Sequence, residues 1–242
     1  MPARRRQRTI TPPPAELGAR CARLEQLLKR VIDSRAAARA ELARARARLR
    51  SAGDDFVNAF EAIDARTDAA VAAAELRGIL NLDLDMESAL TVTMEHMLAR
   101  FRPANAVIWL CNGRGDHAVA AFGSSDVRQA QAEASLSIVG REACPLLGTE
   151  PVATEFESAL DAVTAPPPGG GVLAGRRAIM APVVHRGQRF GATMAFQSAD
   201  LPWAPNAAHT LAAISALLGE HIDRISRIVV HRSASWDGPG ES

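Results

Sequence analysis

Residues 177–196 read RAIMAPVVHRGQRFGATMAF. Two apolar runs, Arg177–Val184 and Gln188–Phe196, flank the turn His185-Arg186-Gly187. Runs of this length and composition around a Gly-containing turn read as a β-hairpin. Pro182 falls inside the first run. Without an N–H to give to a ladder, it points to an edge strand or a bulge. A second pair of the same kind lies upstream. Ala104–Cys111 is dense in Val107, Ile108, Trp109 and Leu110, and His117–Phe122 follows it across Asn112-Gly113-Arg114-Gly115-Asp116. That spacing also predicts a hairpin.

Helices enclose the two hairpins. Asp85 stands where an N-cap belongs, before an amphipathic segment Met86–Phe101 with Leu90, Met94, Met97, Leu98 and Phe101 inward. Pro103 ends it. A closing helix runs from Asn206 to about His231 on a stripe of Leu211, Ile214, Leu218, Ile222, Ile225 and Val229. Between the hairpins, Asp126–Glu142 reads as helix and loop. A short strand is expected near Pro151–Thr154, and a helical segment at Phe156–Val163. Pro166-Pro167-Pro168-Gly169-Gly170-Gly171 reads as a flexible surface loop.

Ahead of all this runs a seven-residue repeat from Leu17 to Leu80. One series is Cys21, Leu28, Arg35, Leu42, Leu49, Phe56, Ile63, Ala70 and Arg77. The other is Leu17, Leu24, Val31, Ala38, Ala45, Ala52, Ala59, Arg66, Ala73 and Leu80. A stripe held in this register stays on one face only if the helix supercoils around a partner. The repeat therefore predicts a homodimer through Leu17–Leu80, with parallel and antiparallel pairings both open. Gly53 allows a second arrangement, a hairpin of two helices, although the register crosses it unbroken. Arg35, Arg66 and Arg77 are polar insertions in the stripe, of the kind that fix register or partner at a cost in stability. The domain plan is a disordered basic arm at 1–14, a coiled-coil helix at 15–80, a globular domain at 81–231 and a disordered tail at 232–242.

The chain has 242 residues, 48% of them hydrophobic, enough for one buried core with an extension. Its net charge of +1 conceals an asymmetry. Residues 1–50 hold 14 Lys and Arg against 4 Asp and Glu, whereas the remainder holds 14 against 23. The basic half predicts weak, salt-sensitive and sequence-independent binding of nucleic acid. Arg39, Arg46 and Arg50 share one flank of the helix, and Arg44 and Arg48 another. No aromatic residue interleaves them, so a solvated helix face is the simpler expectation. Cys21, Cys111 and Cys144 are odd in number and widely spaced, which fits a reducing cytoplasm rather than a disulfide framework. Arg4-Arg5-Arg6 is followed by prolines and not by an apolar segment, so no secretion signal or membrane span is expected.

In order, helix, hairpin, variable middle, hairpin and helix resemble the GAF domain family over about residues 81–231. The matching stretches are Leu82–Leu90, Pro103–Leu110, Arg177–Val184 with its Pro182, Gly187–Phe196 with Gly191 before the apolar run, and Asn206–Glu220. The resemblance implies an α+β fold, in which an antiparallel sheet carries helices on one face and a ligand pocket on the other. It also implies dimerising flanking helices that carry a signal. Two family signatures are missing. There is no Asn-Lys-Phe-Asp-Glu pattern of the cyclic-nucleotide binders. Cys144 precedes Pro145, where bilin carriers place a His. The cofactor is thus unassigned.

No catalytic constellation is legible. His96, His117, His185, His209, His221 and His231 are scattered without metal spacing, and His221 lies near the stripe of the last helix as a pH-sensitive candidate. Asp83-x-Asp85 reads as a helix cap rather than a cation loop. Gly113-x-Gly115 lacks the strand-to-helix context of a dinucleotide loop, and Gly169-Gly170-Gly171 lacks the Lys-Ser/Thr of a phosphate loop. Cys111 and Cys144 raise one enzyme alternative, since some members of the resembled family reduce free methionine sulfoxide with clustered thiols. A buried Cys is usually an inert small hydrophobe. The expectation is a non-enzymatic, cytoplasmic signalling protein sensing a small molecule or a partner through an unidentified pathway. The alternative is a scaffold that binds no small molecule.

Overall fold

A computed structural model describes residues 14–236, apart from Asp83, Gly113, Ser125 and Pro167. The basic arm before Pro14 and the tail after Trp236 lie outside the described residues. The described residues form two compact units, divided between Ala59 and Phe60.

Helix α1, Pro14–Leu80, is continuous. It passes through Gly53 without a break, so the hairpin arrangement does not form. One interior Gly costs about 1 kcal/mol, and the surrounding Ala, Arg and Leu are the strongest helix formers. Every described side chain from Leu17 to Ala59 is exposed.

The second unit begins at Phe60, inside α1, and so takes in the last turns of the helix. Leu76 and Leu80 are 0% and 4% exposed and belong to the core. Ala65, Ala69 and Ala72 are buried with them, while Ile63, Arg66 and Ala70 stay exposed. From Ala65 to Leu76 the buried stripe is therefore offset from the heptad series, and the two coincide again only at Leu80. Arg66 and Arg77 sit in the series without being buried in this packing, and Arg77 instead reaches Glu220 at 3.1 Å on the surface. A Leu76→Ala variant should lose about 2–5 kcal/mol, the usual cost of a buried Leu truncation. Denaturant unfolding would read this as a lower midpoint at unchanged slope. A midpoint equal to wild type would show that the last turns of α1 are not core.

The remaining elements are α2 (Met86–Arg100), β1 (Asn105–Cys111), β2 (His117–Gly123), α3 (Gln129–Glu142), β3 (Thr154–Phe156), β4 (Arg176–His185), β5 (Gln188–Ser198) and α4 (Ala207–Trp236). Asp85 caps α2, its Oδ1 accepting from the Ser88 N–H at 2.8 Å. Single-turn 3-10 segments occupy Cys144–Leu146 and Ala159–Ala162, where an ordinary helix was expected at Phe156–Val163. Pro168–Leu173 is a chain of tight turns; Pro166, Gly169 and Gly171 are exposed, as the surface-loop reading expects, while Gly170 and, beyond the loop, Leu173 are buried. Residues 232–236 continue α4, where a disordered tail was expected.

The strands form one antiparallel sheet in the order β2-β1-β5-β4-β3. Pro182 lies neither on an edge strand nor at the bulge, which falls between Val183 and Val184. β3 pairs only with Ala178–Met180 and stops short of Pro182. No ladder partner on that side asks for the missing N–H.

Side-chain alternation gives each face its own core. Ile108, Ile179, Val183 and Ala195 pack under α2, α4 and the end of α1. α4 sits close enough for its buried Ser215 hydroxyl to meet that of Thr193 at 2.5 Å. On the opposite face, Val107, Trp109, Met180, Met194 and Phe196 pack under α3 and the 3-10 turns.

Candidate functional site

The sheet face under α3 is where a GAF-type ligand pocket is expected. In this protein it is occupied by the chain's own side chains. Trp109, Met180, Met194 and Phe196 are all 0% exposed, with Leu136 and Leu173 closing over them. The indole N–H of Trp109 donates to the Leu136 carbonyl at 3.0 Å, which fixes the ring against α3. α3 comes in so closely that a Cβ at Gly140 would stand 2.8 Å from the Trp109 ring. The sequence showed Trp109 as an apolar strand residue; that it fills the face depends on Gly140, far along the chain.

Cys111, His117, Cys144 and Arg189 gather at one end of this face. Cys111 and His117 are ladder partners across the first hairpin. Arg189 donates from one guanidinium nitrogen to the carbonyls of Cys144, Pro145 and Leu147 at 3.3, 3.1 and 2.7 Å. Burial pushes the Cys144 thiol up to about 12, the nearby Arg189 charge only partly offsetting it. At neutral pH this thiol keeps its proton, and the thiolate is the nucleophilic form. Cys111 is half-buried, and its Sγ–H donates to the Asn112 carbonyl at 3.4 Å.

The other candidates fall into structural roles. Asp85 is the cap already described, and Asp83 lies outside the described residues. Gly115 sits in the hairpin turn at φ 88°, where Asn112 Oδ1 accepts from the N–H groups of Arg114 and Asp116. Gly169, Gly170 and Gly171 have positive φ within the Pro168–Leu173 turns. Among the described residues no group of three His, Cys, Asp or Glu could hold a metal. His185 lies 3.6 Å from Asp223 and His96 is 3.1 Å from the Ala72 carbonyl. His221 is buried in α4, its Nδ1 taking a hydrogen bond from Arg224, which also donates to the Leu80 carbonyl at the end of α1. His209 lines a shallow groove of small residues beside α1, and the side chain of His231 is outside the described set.

His96 and His117 both have lowered pKa values, mainly through burial and then through the cations Arg100 and Arg189 respectively. A histidine held neutral in the folded state charges more readily in the unfolded chain. Stability from this source is therefore complete above the ordinary value of about 6.5 and is lost as pH falls below it. Thermal midpoints measured from pH 7.5 to 5.5 should fall with acid. In a His117→Gln variant the slope should be shallower. An unchanged slope would assign the acid sensitivity elsewhere.

On the helix-covered side of the sheet the domain does have an opening. A cleft of about 300 Å³ lies between Asp68 and Ala72 of α1, the Arg100–Pro103 turn, and the segment Leu201–Ala207 entering α4. The edge-to-face pair Phe101 and Trp203, with centroids 6.2 Å apart, borders it. No local motif marks this cleft, because it is assembled from three distant stretches of chain.

No family model matches the sequence, and no curated protein matches it. Solved structures do. The GAF domain of a phosphoenolpyruvate-protein phosphotransferase from Coxiella burnetii matches 68% of this chain and 98% of its own, with a TM-score of 0.51 at 14% identity. The fold is GAF-like. The corresponding domain from Acinetobacter covers 66% of this chain and 96% of its own, with a TM-score of 0.49 at 12% identity. A domain of a Sinorhizobium meliloti two-component sensor histidine kinase covers 62% and 99%, with a TM-score of 0.47 at 15% identity. The shared fold assigns no ligand to this chain.

Proposed function

We propose that the protein is a homodimeric cytoplasmic regulator, in which a GAF-like sensor domain controls the packing of a dimeric helix and the helix carries the output to a partner. One observation carries this reading. Along α1 the heptad residues Leu24, Leu28, Leu42, Leu49 and Phe56 are 65, 61, 52, 73 and 65% exposed in the protomer. Such a row of large side chains is far more apolar surface than a solvated helix keeps. Its period is the one that a second helix satisfies. The row continues into the GAF-like unit at Ala70, beside Ala212, Ala213 and Ala216 of α4, where small side chains permit close approach of another helix.

Transmission requires that a bound molecule favour one packing of the helices over another. The filled sheet face favours a second reading, a scaffold whose GAF-like domain makes only protein contacts. The three free cysteines fit a reducing compartment, and no described helix is long and apolar enough to cross a membrane. The protonated Cys144 thiol supports a non-enzymatic role over thiol reduction. Weak electrostatic attachment of the Arg-rich half to nucleic acid accompanies this reading and does not replace it.

Light scattering of the full chain tests the proposal. A dimer mass across the micromolar range is expected. A monomer at high micromolar concentration would overturn it.

A further inference from the structure

We propose that the helix-side cleft is a binding site for a small organic acid, a single carboxylate on a planar apolar body. The site lies on the opposite side of the sheet from the face filled by Trp109 and Phe196. Its volume, about 300 Å³, is at the lower end of the range for small-molecule sites. Its chemistry is asymmetric. Arg100 is already committed to an ion pair with Glu75. Arg102, two residues on, is exposed and makes no ion pair among the described residues, so its charge is available to an anion.

Trp203 supplies the second recognition element. Its indole N–H is buried and has no acceptor among the described residues. A buried donor left in that state costs free energy, and buried indoles normally find a partner. A carboxylate paired with Arg102 would satisfy both once the Trp203 ring turns its buried N–H toward the cleft. The same carboxylate would lie near the first turn of α4, the positive end of that helix. Trp203, partly exposed and held edge-to-face by the buried Phe101, then offers aromatic surface to a flat ring. Asp68 stands on the α1 wall, its Oδ2 accepting from the Asn206 side-chain N–H at 2.9 Å. That negative charge disfavours a second carboxylate, so the site selects monoacids.

Occupancy touches α1 through Asp68 and Ala72, and touches α4 through its first turn. This places the ligand against the helix proposed to carry the signal. Only that regulatory consequence rests on the proposed function; binding itself does not.

The test uses the full chain with benzoate and phenylacetate as probes, followed by saturation-transfer NMR and calorimetry. Both acids should bind at millimolar affinity or better. Benzamide and terephthalate should each bind about tenfold more weakly, since each loses or opposes a charge-assisted bond. Arg102→Gln, an exposed position, should weaken benzoate about tenfold, and Trp203→Phe should weaken it while keeping the ring. No transfer to either acid, or equal binding of benzamide, or full affinity in Arg102→Gln, would overturn the site. Light scattering on the same samples separates the two proposals. Binding by a monomer upholds the site and removes only the dimeric reading.

Discussion

A Gly191→Ala variant should fail to form the native sheet. Gly191 lies in β5 opposite Leu110 of β1 and Val183 of β4, next to the irregularity after Val183. Its backbone angle is not the obstacle; space is. A Cβ built there stands 1.9 Å from the Trp109 carbonyl oxygen and 3.1 Å from the Leu110 Cα. Those are main-chain atoms of the neighbouring central strand, so no rotamer change gives relief. The pair β1 and β5 must part, and the buried Trp109 moves with β1. Overpacking against side chains typically costs about 1–3 kcal/mol, and parting two central strands adds ladder hydrogen bonds worth about 1 kcal/mol each. The sum reaches a large share of the ~5–15 kcal/mol that holds a domain together. Insoluble expression, or loss of the cooperative thermal transition, is the expected result. Gly53→Ala is the matched control, since nothing lies within 4 Å of its added Cβ. That change should be neutral or stabilise the helix by up to about 1 kcal/mol. A soluble Gly191→Ala protein within about 1 kcal/mol of wild type would show that β1 and β5 are not held at this spacing.

The elements legible in the sequence are those encoded by local pattern. Both hairpins, α2 with its Asp85 cap and α4 with its apolar stripe follow from period and turn chemistry over short windows. Misreadings arise where the outcome depends on a distant segment. Pro182 suggests an edge, yet its consequence is decided by where β3 ends. The heptad series runs on to Leu80 in the sequence, but from Ala65 to Leu76 the domain buries a neighbouring face of α1, leaving Arg66 and Arg77 exposed, and rejoins the series only at Leu80. The filled sheet face depends on Gly140 admitting the Trp109 ring. The cleft brings Asp68, Arg102 and Trp203 together from positions with no sequence relation, and none of them sits in a recognisable motif. Gly191 was visible only as a small residue before an apolar run. Its contact with the Trp109 carbonyl is a property of the folded sheet.

Changing Leu42 and Leu49 together to Asp should convert the protein from dimer to monomer. Both residues belong to the same heptad series and are 52 and 73% exposed in the protomer. The alternate series in this region is Ala38, Ala45 and Ala52, so each layer buries little beyond its one large side chain. Burying a Leu contributes about 1.5–3 kcal/mol. A dimer loses four such side chains in the double variant. It would also have to desolvate four carboxylates, and an unpaired charge in an apolar seam is costlier than the lost contact. Off-stripe charges should matter far less. Arg44→Glu, on the face away from the stripe, is therefore the control, because exposed ion pairs contribute about 0–1 kcal/mol. Light scattering and sedimentation should show a monomer for the double variant and a dimer for both wild type and Arg44→Glu. The GAF-like unit should keep its thermal transition in all three, since neither position belongs to it. Mild oxidation then reports orientation. Cys21 is exposed in the same series, and only a parallel, in-register pair brings the two copies together for a disulfide. A double variant that stays dimeric would move the interface off this stripe and onto the alanine groove beside α4.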